Sequence, residues 1–397
     1  MRVELDDLGF DEGGALLVKR AIRQAQPGEE IAVNGSAPEL DVHLQSWCRT
    51  EGHQCCSAAA DHTRATVIVG GTAAARWHGA ERAGLPDPRA AQAVAEHAPR
   101  RWGLAARGAL VESGVPEFDF NLVDKVEVWS ADAIRIYAQA AAAQWDPNTA
   151  IDWDAEFELP SDVEDAVVQI MTYLIENETA ALIVPSRFIA QLHPHFREVM
   201  QVLAIQAADE ARHIEVFTRR ALLRRKELGL STSGGQASLK TLIDEPDFAV
   251  ASFLLSVLGE GTFLSLLWFI ERNAPDPVTA SVCRLAAQDE ARHVAFGMAH
   301  LREHILRDRS VCPKLANAVH QRHDALQDTA GLNAGVFDAL VLLAAGSWDC
   351  GALRRGHQSV VQLTREMDET RKKRIVRLGF NEEEATELSS LHTRNFM

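Results

Sequence analysis

The sequence predicts a mainly α-helical protein with a small α/β domain at its N-terminus. Long segments of helical periodicity follow Pro160, whereas the region 1–71 shows short strand and helix patterns in alternation. The chain has 397 residues, of which 47% are apolar and 24% charged, as in folded globular proteins of two or three domains. A largely disordered chain is therefore excluded.

The N-terminal domain, residues 1–71, is predicted to have the element order β-α-β-α-β-β. Apolar residues recur at helical spacing in two segments, and a glycine or a proline-glycine pair ends each of them. Short apolar runs predict the strands. The elements located are a strand near Val3, a helix at 15–25, a strand at 31–33, a helix at 38–51 and a strand at 66–69. This order is typical of a small two-layer α/β unit.

This domain resembles the TusA/SirA-like sulfur-carrier fold. The matching stretches are Leu5-Asp6-Asp7-Leu8-Gly9, Pro27-Gly28-Glu29 and Trp47-Cys48-Arg49-Thr50-Glu51-Gly52-His53. The family carries a persulfide on a cysteine a few residues after the first glycine, but Glu12 stands in that place here. A carboxylate cannot form a persulfide. We therefore expect a degenerate docking module in which Cys48 is packed rather than reactive.

Residues 72–125 are rich in alanine, arginine and proline and are predicted to form a linker with short helices. The helical domain covers 126–397. Its four long helices are predicted at 161–191, 195–228, 246–273 and 277–307. Additional helices between 312 and 397 are expected to pack on this bundle.

A near-exact internal repeat lies within two of the long helices. The string Asp-Glu-Ala-Arg-His occurs at 209–213 and again at 289–293. A glutamate and a histidine three residues apart on a helix are separated by about 60°, so both side chains reach one point. One carboxylate and one imidazole converging from each of two helices form a typical metal-ligand arrangement.

Each repeat has an acidic companion in an apolar helix upstream. Glu178 precedes Glu210 by one long helix, and Glu260 precedes Glu290 by a closely similar separation. A lone buried glutamate is costly unless a cation offsets its charge, so both acids are predicted to meet the same metal ions. Glu176 is the alternative to Glu178, and since the two are about 200° apart on the helix, one of them can point inward. We favour Glu178, which shares its face with apolar residues.

The helix around Glu260 is apolar enough to imitate a membrane span over 249–270. A central acid favours the alternative, a buried bundle helix that delivers one carboxylate to an interior site. Gly259 and Gly261 flank the acid, although a glycine costs about 1 kcal/mol in a helix interior. They predict either room for O₂ or substrate beside the ligand, or a local π-type distortion.

Residues 160–308 resemble the ferritin-like di-iron carboxylate superfamily, whose ligand inventory is one glutamate from each of two helices and Glu-x-x-His from each of the other two. The resemblance implies a ferritin-like four-helix bundle with extra C-terminal helices. It further implies that Glu210 and Glu290 bridge or chelate two metal ions and that His213 and His293 bind one ion each. Glu178 and Glu260 would complete the set.

The aspartate before each repeat glutamate has two possible roles. By the same resemblance, Asp209 and Asp289 would accept a hydrogen bond from the far ring nitrogen of a histidine ligand and fix its tautomer. Alternatively they pair with Arg212 and Arg292, which are expected to bridge helices rather than to catalyse. We expect Trp145, Trp153 and Trp268 in the core rather than in an electron relay.

The predicted function is that of a non-haem di-iron oxidoreductase that activates O₂. Carboxylates with two imidazoles favour two iron ions, or a Mn/Fe pair, over zinc or copper. We expect an oxygenase that hydroxylates, N-oxygenates, desaturates or cleaves a small organic substrate. The arylamine N-oxygenase branch usually has a histidine four residues before the glutamate of the second repeat. Ala286 stands there in this chain, and Gln206 has that position in the first repeat. The missing histidine argues against that branch.

Three other functions stay open at this point. A ferroxidase or iron-handling protein would need no organic substrate, and a sulfur-carrier-like scaffold would need no metal. A radical-generating subunit would need a tyrosine near the ligands, but Tyr173 lies about 140° from Glu178 on its helix. The chain contains no dinucleotide fingerprint, so electrons are expected from an external reductase or another donor.

The net charge of −16 disfavours nucleic acid and membrane surfaces as partners, because both are anionic. The six cysteines show no paired spacing, which predicts reduced thiols and a cytoplasmic protein. The acidic N-terminus shows no apolar export segment. A homodimer is the expected assembly.

Overall fold

The computed structural model describes residues 1–58, 61–71, 77, 79–326 and 334–392. The chain divides into two compact units, one of residues 1–93 with 101–117 and the other of residues 94–100 with 118–397. Residues 72–125 thus contribute to both units. The predicted fold class, mainly α with a small N-terminal α/β part, is confirmed.

The first unit contains the predicted element order β-α-β-α-β-β. Its elements are β1 (Arg2–Glu4), α1 (Ala15–Ile22), β2 (Glu30–Asn34), α2 (Leu40–Glu51), β3 (Gln54–Ala58) and β4 (Asp61–Ile68). The strands form one sheet in the order β1-β2-β4-β3, in which β1 is parallel to β2 and β4 is antiparallel to both of its neighbours. Two short strands, β5 (Glu81–Arg82) and β6 (Leu110–Val111), pair separately.

Side chains from both layers fill the core of this unit, among them Val18, Ile31 and Leu44. Cys48 belongs to the same core and is 1% exposed. Its hydrogen bond with Cys55 and its burial raise the pKa of the Cys48 thiol, which suppresses the reactive thiolate. Glu12 lies in an exposed π-helical turn before α1. All six cysteines are free thiols.

The second unit is helical. Its helices are α3 (Lys125–Val128), α4 (Ala133–Ala142), α5 (Ser161–Ile189), α6 (Arg197–Ala221), α7 (Ser233–Ile243), α8 (Phe248–Arg272), α9 (Pro277–Arg307), α10 (Val311–Leu326), α11 (Ala334–Ala345), α12 (Cys350–Arg377) and α13 (Glu382–His392). The long helices α5, α6, α8 and α9 form the predicted four-helix bundle, with α5 against α6 and α8 against α9. The second of them ends at Ala221, several residues before the predicted end near 228.

A buried arginine connects three of the bundle's segments. Arg220 of α6 binds Glu164 of α5 at 2.7 Å and Asp276 at 2.7 Å. Asp276 is also the N-cap of α9, where it accepts a hydrogen bond from the backbone of Thr279. The start of α9 is thus fixed by a cap, by Pro277 in the first turn and by this ion pair.

Among the described residues, α5 and α8 are long and apolar enough to cross a membrane, and the bent pair α11–α12 would make a third if it counts as one span. In the structure most of the apolar window of α5 and of α8 is buried within the protein. These are the two helices that carry Glu178 and Glu260.

The middle of α8 is a π-helix over Phe253–Glu260, so the predicted distortion beside Glu260 is present. The alternative prediction, room for O₂ or substrate at Gly261, is wrong. A Cβ built on Gly261 would lie 2.5 Å from Cζ of Arg374, because the guanidinium of this α12 residue fills that space. The backbone of Gly261 is ordinary helix, with φ −61° and ψ −30°.

Candidate metal centre

All six predicted ligands come together in the middle of the bundle. They form two overlapping groups whose ligand atoms lie within 4.8 Å of one another. The first group is Glu178, Glu210, His213 and Glu290, and the second is Glu210, Glu260, Glu290 and His293. Each of the six side chains is at most 4% exposed. Because Glu210 and Glu290 belong to both groups, two ions bound here would share them.

The choice between Glu176 and Glu178 is settled by position. Glu178 is 2% exposed, and its Oε2 lies 3.5 Å from Nδ1 of His213. Glu176 is only half-buried and belongs to neither group. The face that Glu178 shares with apolar residues of α5 therefore points into the bundle.

The two histidines present the same nitrogen to the carboxylates. Nδ1 of His213 lies 3.2 Å from Glu210 and 3.4 Å from Glu290. Nδ1 of His293 lies 3.0 Å from Glu210 and 3.3 Å from Glu290. The Nδ1 atoms are thus the ones that could bind a metal ion, and the Nε2 atoms face the other way.

Each Nε2 contacts the aspartate of the other repeat. Nε2 of His213 lies 3.1 Å from Asp289, and Nε2 of His293 lies 3.2 Å from Asp209. Both possible roles of the aspartates are realised together, since Arg212 binds Asp209 at 2.5 Å and Asp289 at 2.8 Å, and Arg292 binds Asp289. A carboxylate that accepts from Nε2–H leaves the lone pair of Nδ1 for a metal.

The buried carboxylates of the site need either cations or protons to offset their charge. The aspartate pair is offset by Arg212 and Arg292, which leaves the four buried glutamates without a positive partner other than the two imidazoles. When all four are ionised, their negative charge would balance the positive charge of two divalent metal ions. Oxygen atoms of all four glutamates are buried without a hydrogen-bond partner, as is Nδ1 of His213. Such orphaned atoms are costly in a protein interior, so the residues fit a pair of metal ions.

The pKa values of these side chains without a metal reflect the same lack of positive charge. Burial, together with Glu210 and Glu290, raises the pKa of Glu178 well above its usual range. Burial and Glu290 do the same to the pKa of Glu260. Burial would lower the pKa of His213 and His293, but the adjacent glutamates raise both well above the usual value. Protons on these groups substitute for the positive charge that a metal would bring.

The pKa of the shared ligand Glu210 moves the opposite way. Burial opposes its ionisation, but His293 and His213 more than offset burial and hold the pKa below its usual range. Hydrogen bonds and charge from His213, Arg212 and Trp145 likewise outweigh burial at Asp289 and lower its pKa. Both groups stay ionised, which suits a carboxylate that two metal ions would share and a carboxylate that holds a histidine.

Three residues at the site were not predicted. Gln206, one turn before Glu210 on α6, donates from Nε2 to Glu260 at 2.8 Å. Gln144 donates to Asp209 at 2.7 Å, and the indole of Trp145 donates to Asp289 at 2.8 Å. Gln206 was detectable from its helical spacing to the ligands. The other two follow α4 in a non-helical stretch, where no periodicity indicates their direction. The expectation that Trp145 is a core residue is wrong, because it is only half-buried and its indole nitrogen is engaged here.

The remaining buried histidines lie outside the ligand groups. His300 hydrogen-bonds from Nε2 to the backbone carbonyl of Glu127 at 2.6 Å, and Phe248 and Phe296 pack on its ring. His195 accepts a hydrogen bond from the backbone of Ala95 at 2.9 Å. These histidines position backbone rather than ligands.

No protein-family model and no curated protein matches the chain. Among solved structures, the chain is similar to the R2-like ligand-binding oxidase from Sulfolobus acidocaldarius, at 17% identity over 65% of this chain and 94% of that one, with a TM-score of 0.41. It is also similar to a variant R2-like ligand-binding oxidase with an anaerobically reconstituted Mn/Fe cofactor, at 16% identity over 61% of this chain and 94% of that one, with a TM-score of 0.45.

Proposed function

We propose that this protein is a non-haem oxidoreductase that activates O₂ at two metal ions, iron with iron or manganese with iron. The observation that carries the proposal is the pair of overlapping buried groups that share Glu210 and Glu290. Four carboxylates with two imidazoles are a donor set that iron and manganese prefer. The chemistry that two such ions supply when bound is the reduction of O₂ at neighbouring metals.

The residues around the ligands have separable roles. Glu178 and Glu260 each complete one group, and the aspartates hold both imidazoles with Nδ1 facing inward. Gln206 donates to one oxygen of Glu260, and the other oxygen, which has no hydrogen-bond partner, is available to a metal ion. Apolar side chains of α8, among them Val257, Leu258 and Phe263, are fully or nearly fully buried and exclude bulk water. A dry site strengthens the electrostatic interactions inside it.

An organic substrate distinguishes an oxygenase from a ferroxidase. We propose a small organic substrate, oxygenated by hydroxylation, N-oxygenation, desaturation or oxidative cleavage, with electrons from a separate reductase or donor. A cytoplasmic homodimer is the proposed form. The N-terminal unit is proposed to be a TusA-like docking module without sulfur transfer, a proposal supported by Glu12 in place of the nucleophile and by the burial of Cys48.

Metal analysis of the purified protein tests the site. We expect about two iron or manganese ions per chain, loss of about one in His213→Ala and in His293→Ala, and loss of both in the double variant. Full occupancy in the double variant would refute the ligand assignment.

Consumption of O₂ that depends on an organic substrate supports an oxygenase. Consumption that follows only added Fe²⁺ contradicts it and indicates a ferroxidase.

A further inference from the structure

A groove lies between α9 and α12, on a different face of α9 from the one that carries Glu290 and His293. It has a volume of about 820 Å³, within the range of small-molecule sites. Five apolar side chains of α9 between Ala291 and Ala299 line it, and none of the six metal ligands does. The groove is therefore separate from the metal centre.

Its rim is cationic in a chain whose net charge is −16. Four cations line it, namely Arg302, Lys373, Arg374 and Arg377. Within the described part of the chain, none of the four is within ion-pair distance of a carboxylate, although many other lysines and arginines are. The one acid in the lining, Asp132, is already bonded to Arg135 at 2.9 Å. The groove thus carries positive charge that no described side chain offsets.

Arg374 gives the charge a fixed direction. Its Nε donates to the backbone carbonyl of Val257 at 2.8 Å, and its guanidinium lies against Gly261. Its Nη2 is buried and has no hydrogen-bond partner. The guanidinium also lines the groove, so an anion there would meet a cation that the bond to Val257 holds in place. A planar guanidinium suits a carboxylate or a phosphate.

We propose that this groove binds an organic anion, with its apolar body on the α9 floor and its carboxylate or phosphate on Arg374. The rim adds long-range attraction for the anion through Lys373, Arg377 and Arg302. The apolar floor explains why the ligand is not a bare inorganic ion. This site is independent of the proposed O₂ chemistry, because binding can be measured without turnover.

Calorimetric titration of the full-length protein tests the proposal with three naphthalene probes, which are 1-naphthoate, 1-naphthyl phosphate and the neutral 1-naphthalenemethanol. We expect one anion per chain, at least tenfold tighter than the alcohol, with affinity that falls as salt is added. Tighter binding of the carboxylate or of the phosphate identifies the head group of the natural ligand. Equal affinity of the alcohol and the anions would overturn the proposal, and so would the absence of binding.

Variants locate the site. Arg374→Gln should weaken anion binding at least tenfold and leave binding of the alcohol unchanged, whereas Arg374→Lys should retain part of it. Lys373 is exposed, so Lys373→Gln should leave the fold intact and weaken anion binding several-fold. Arg365→Gln is the matched control, since Arg365 is exposed on the same helix outside the groove. Unchanged affinity in Arg374→Gln and Lys373→Gln would overturn the proposal. Self-association of the chain that Lys373→Gln abolishes would also overturn it and assign the groove to a second copy.

Discussion

Asp289 accepts from Nε2 of His213 at 3.1 Å, although the two residues belong to different copies of the repeat. Asp209 and His293 form the reciprocal contact at 3.2 Å. Each repeat thus supplies a histidine to the candidate metal centre and an aspartate that orients the histidine of the other repeat. The two overlapping groups of side chains are thus connected in two ways. They share Glu210 and Glu290, and the aspartates join them through the crosswise hydrogen bonds.

Asp289→Asn should weaken the ion held by His213 more than the ion held by His293. Loss of a carboxylate that orients a histidine ligand typically costs about 10–100-fold in metal affinity. Titration of the metal-free protein with Fe²⁺ against a competing chelator would measure both affinities. Asp308→Asn, an exposed change far from the ligands, is the control. Wild-type affinity for both ions in Asp289→Asn would contradict the role of the crosswise contact.

Glu178→Gln and Glu260→Gln should each remove about one of two bound ions, because each glutamate belongs to one group only. The amide keeps the shape of the side chain but cannot supply the charge that neutralises the metal. Elemental analysis of each variant and of the double variant would count the ions. Glu176→Gln is the matched control on α5 and should keep both ions. Two ions and wild-type turnover in Glu260→Gln would remove Glu260 from the ligand set.

The clustering of the six side chains was predictable because metal chemistry restricts both residue type and spacing. A Glu-x-x-His pair on a helix and a lone acid in an apolar helix are local patterns, and both survive in the folded chain. The crosswise contacts of Asp209 and Asp289 were not predictable, since they depend on how α6 and α9 face each other. Gly261 was misread for a similar reason. Its neighbour Arg374 is distant in the sequence, on a helix outside the bundle, and no local pattern joins them.

Arg220→Met should destabilise the bundle by about 3–5 kcal/mol, the usual cost of removing one partner of a buried ion pair. Glu164 and Asp276 would be left buried without their cation. Urea denaturation followed by helical circular dichroism would measure the loss. Arg225→Met removes an exposed pair with Asp165 and should change stability by less than about 1 kcal/mol. Equal effects of the two substitutions would show that burial of the Arg220 network contributes nothing.

His300 should make the protein sensitive to acid. Burial lowers the pKa of His300 to about 4, from a usual value of 6.5, and His304 adds to the shift while the carbonyl of Glu127 and the charge of Asp247 oppose it. As the pH falls, the unfolded chain takes up a proton on His300 at a higher pH than the folded protein does. The free energy of unfolding therefore decreases as the pH falls from 6.5 towards 4. The full shift corresponds to about 3 kcal/mol.

His300→Gln can keep a donor to the carbonyl of Glu127 without a titrating group. Its unfolding free energy should therefore fall less steeply than that of the parent protein over this pH range, when both are compared at equal metal content. Identical pH profiles would show that His300 is protonated as readily in the folded protein as in the unfolded chain.

Gly261→Ala should have opposite effects on stability in two backgrounds. In the parent protein a Cβ at 261 would lie 2.5 Å from Cζ of Arg374, so the guanidinium must leave its hydrogen bond to Val257, at a cost of about 1–3 kcal/mol. In the Arg374→Ala background the space is open, and the helical backbone of Gly261 accepts alanine with a gain of about 1 kcal/mol.

Urea denaturation of the four proteins in this double-mutant cycle should give a coupling of about 1–3 kcal/mol. Metal content should be unchanged throughout, because no hydrogen bond or ion pair of the described residues joins Arg374 to the six clustered side chains. Additive effects would show that glycine at 261 is not required by Arg374, and loss of metal in Gly261→Ala alone would restore the view that this glycine serves the metal centre.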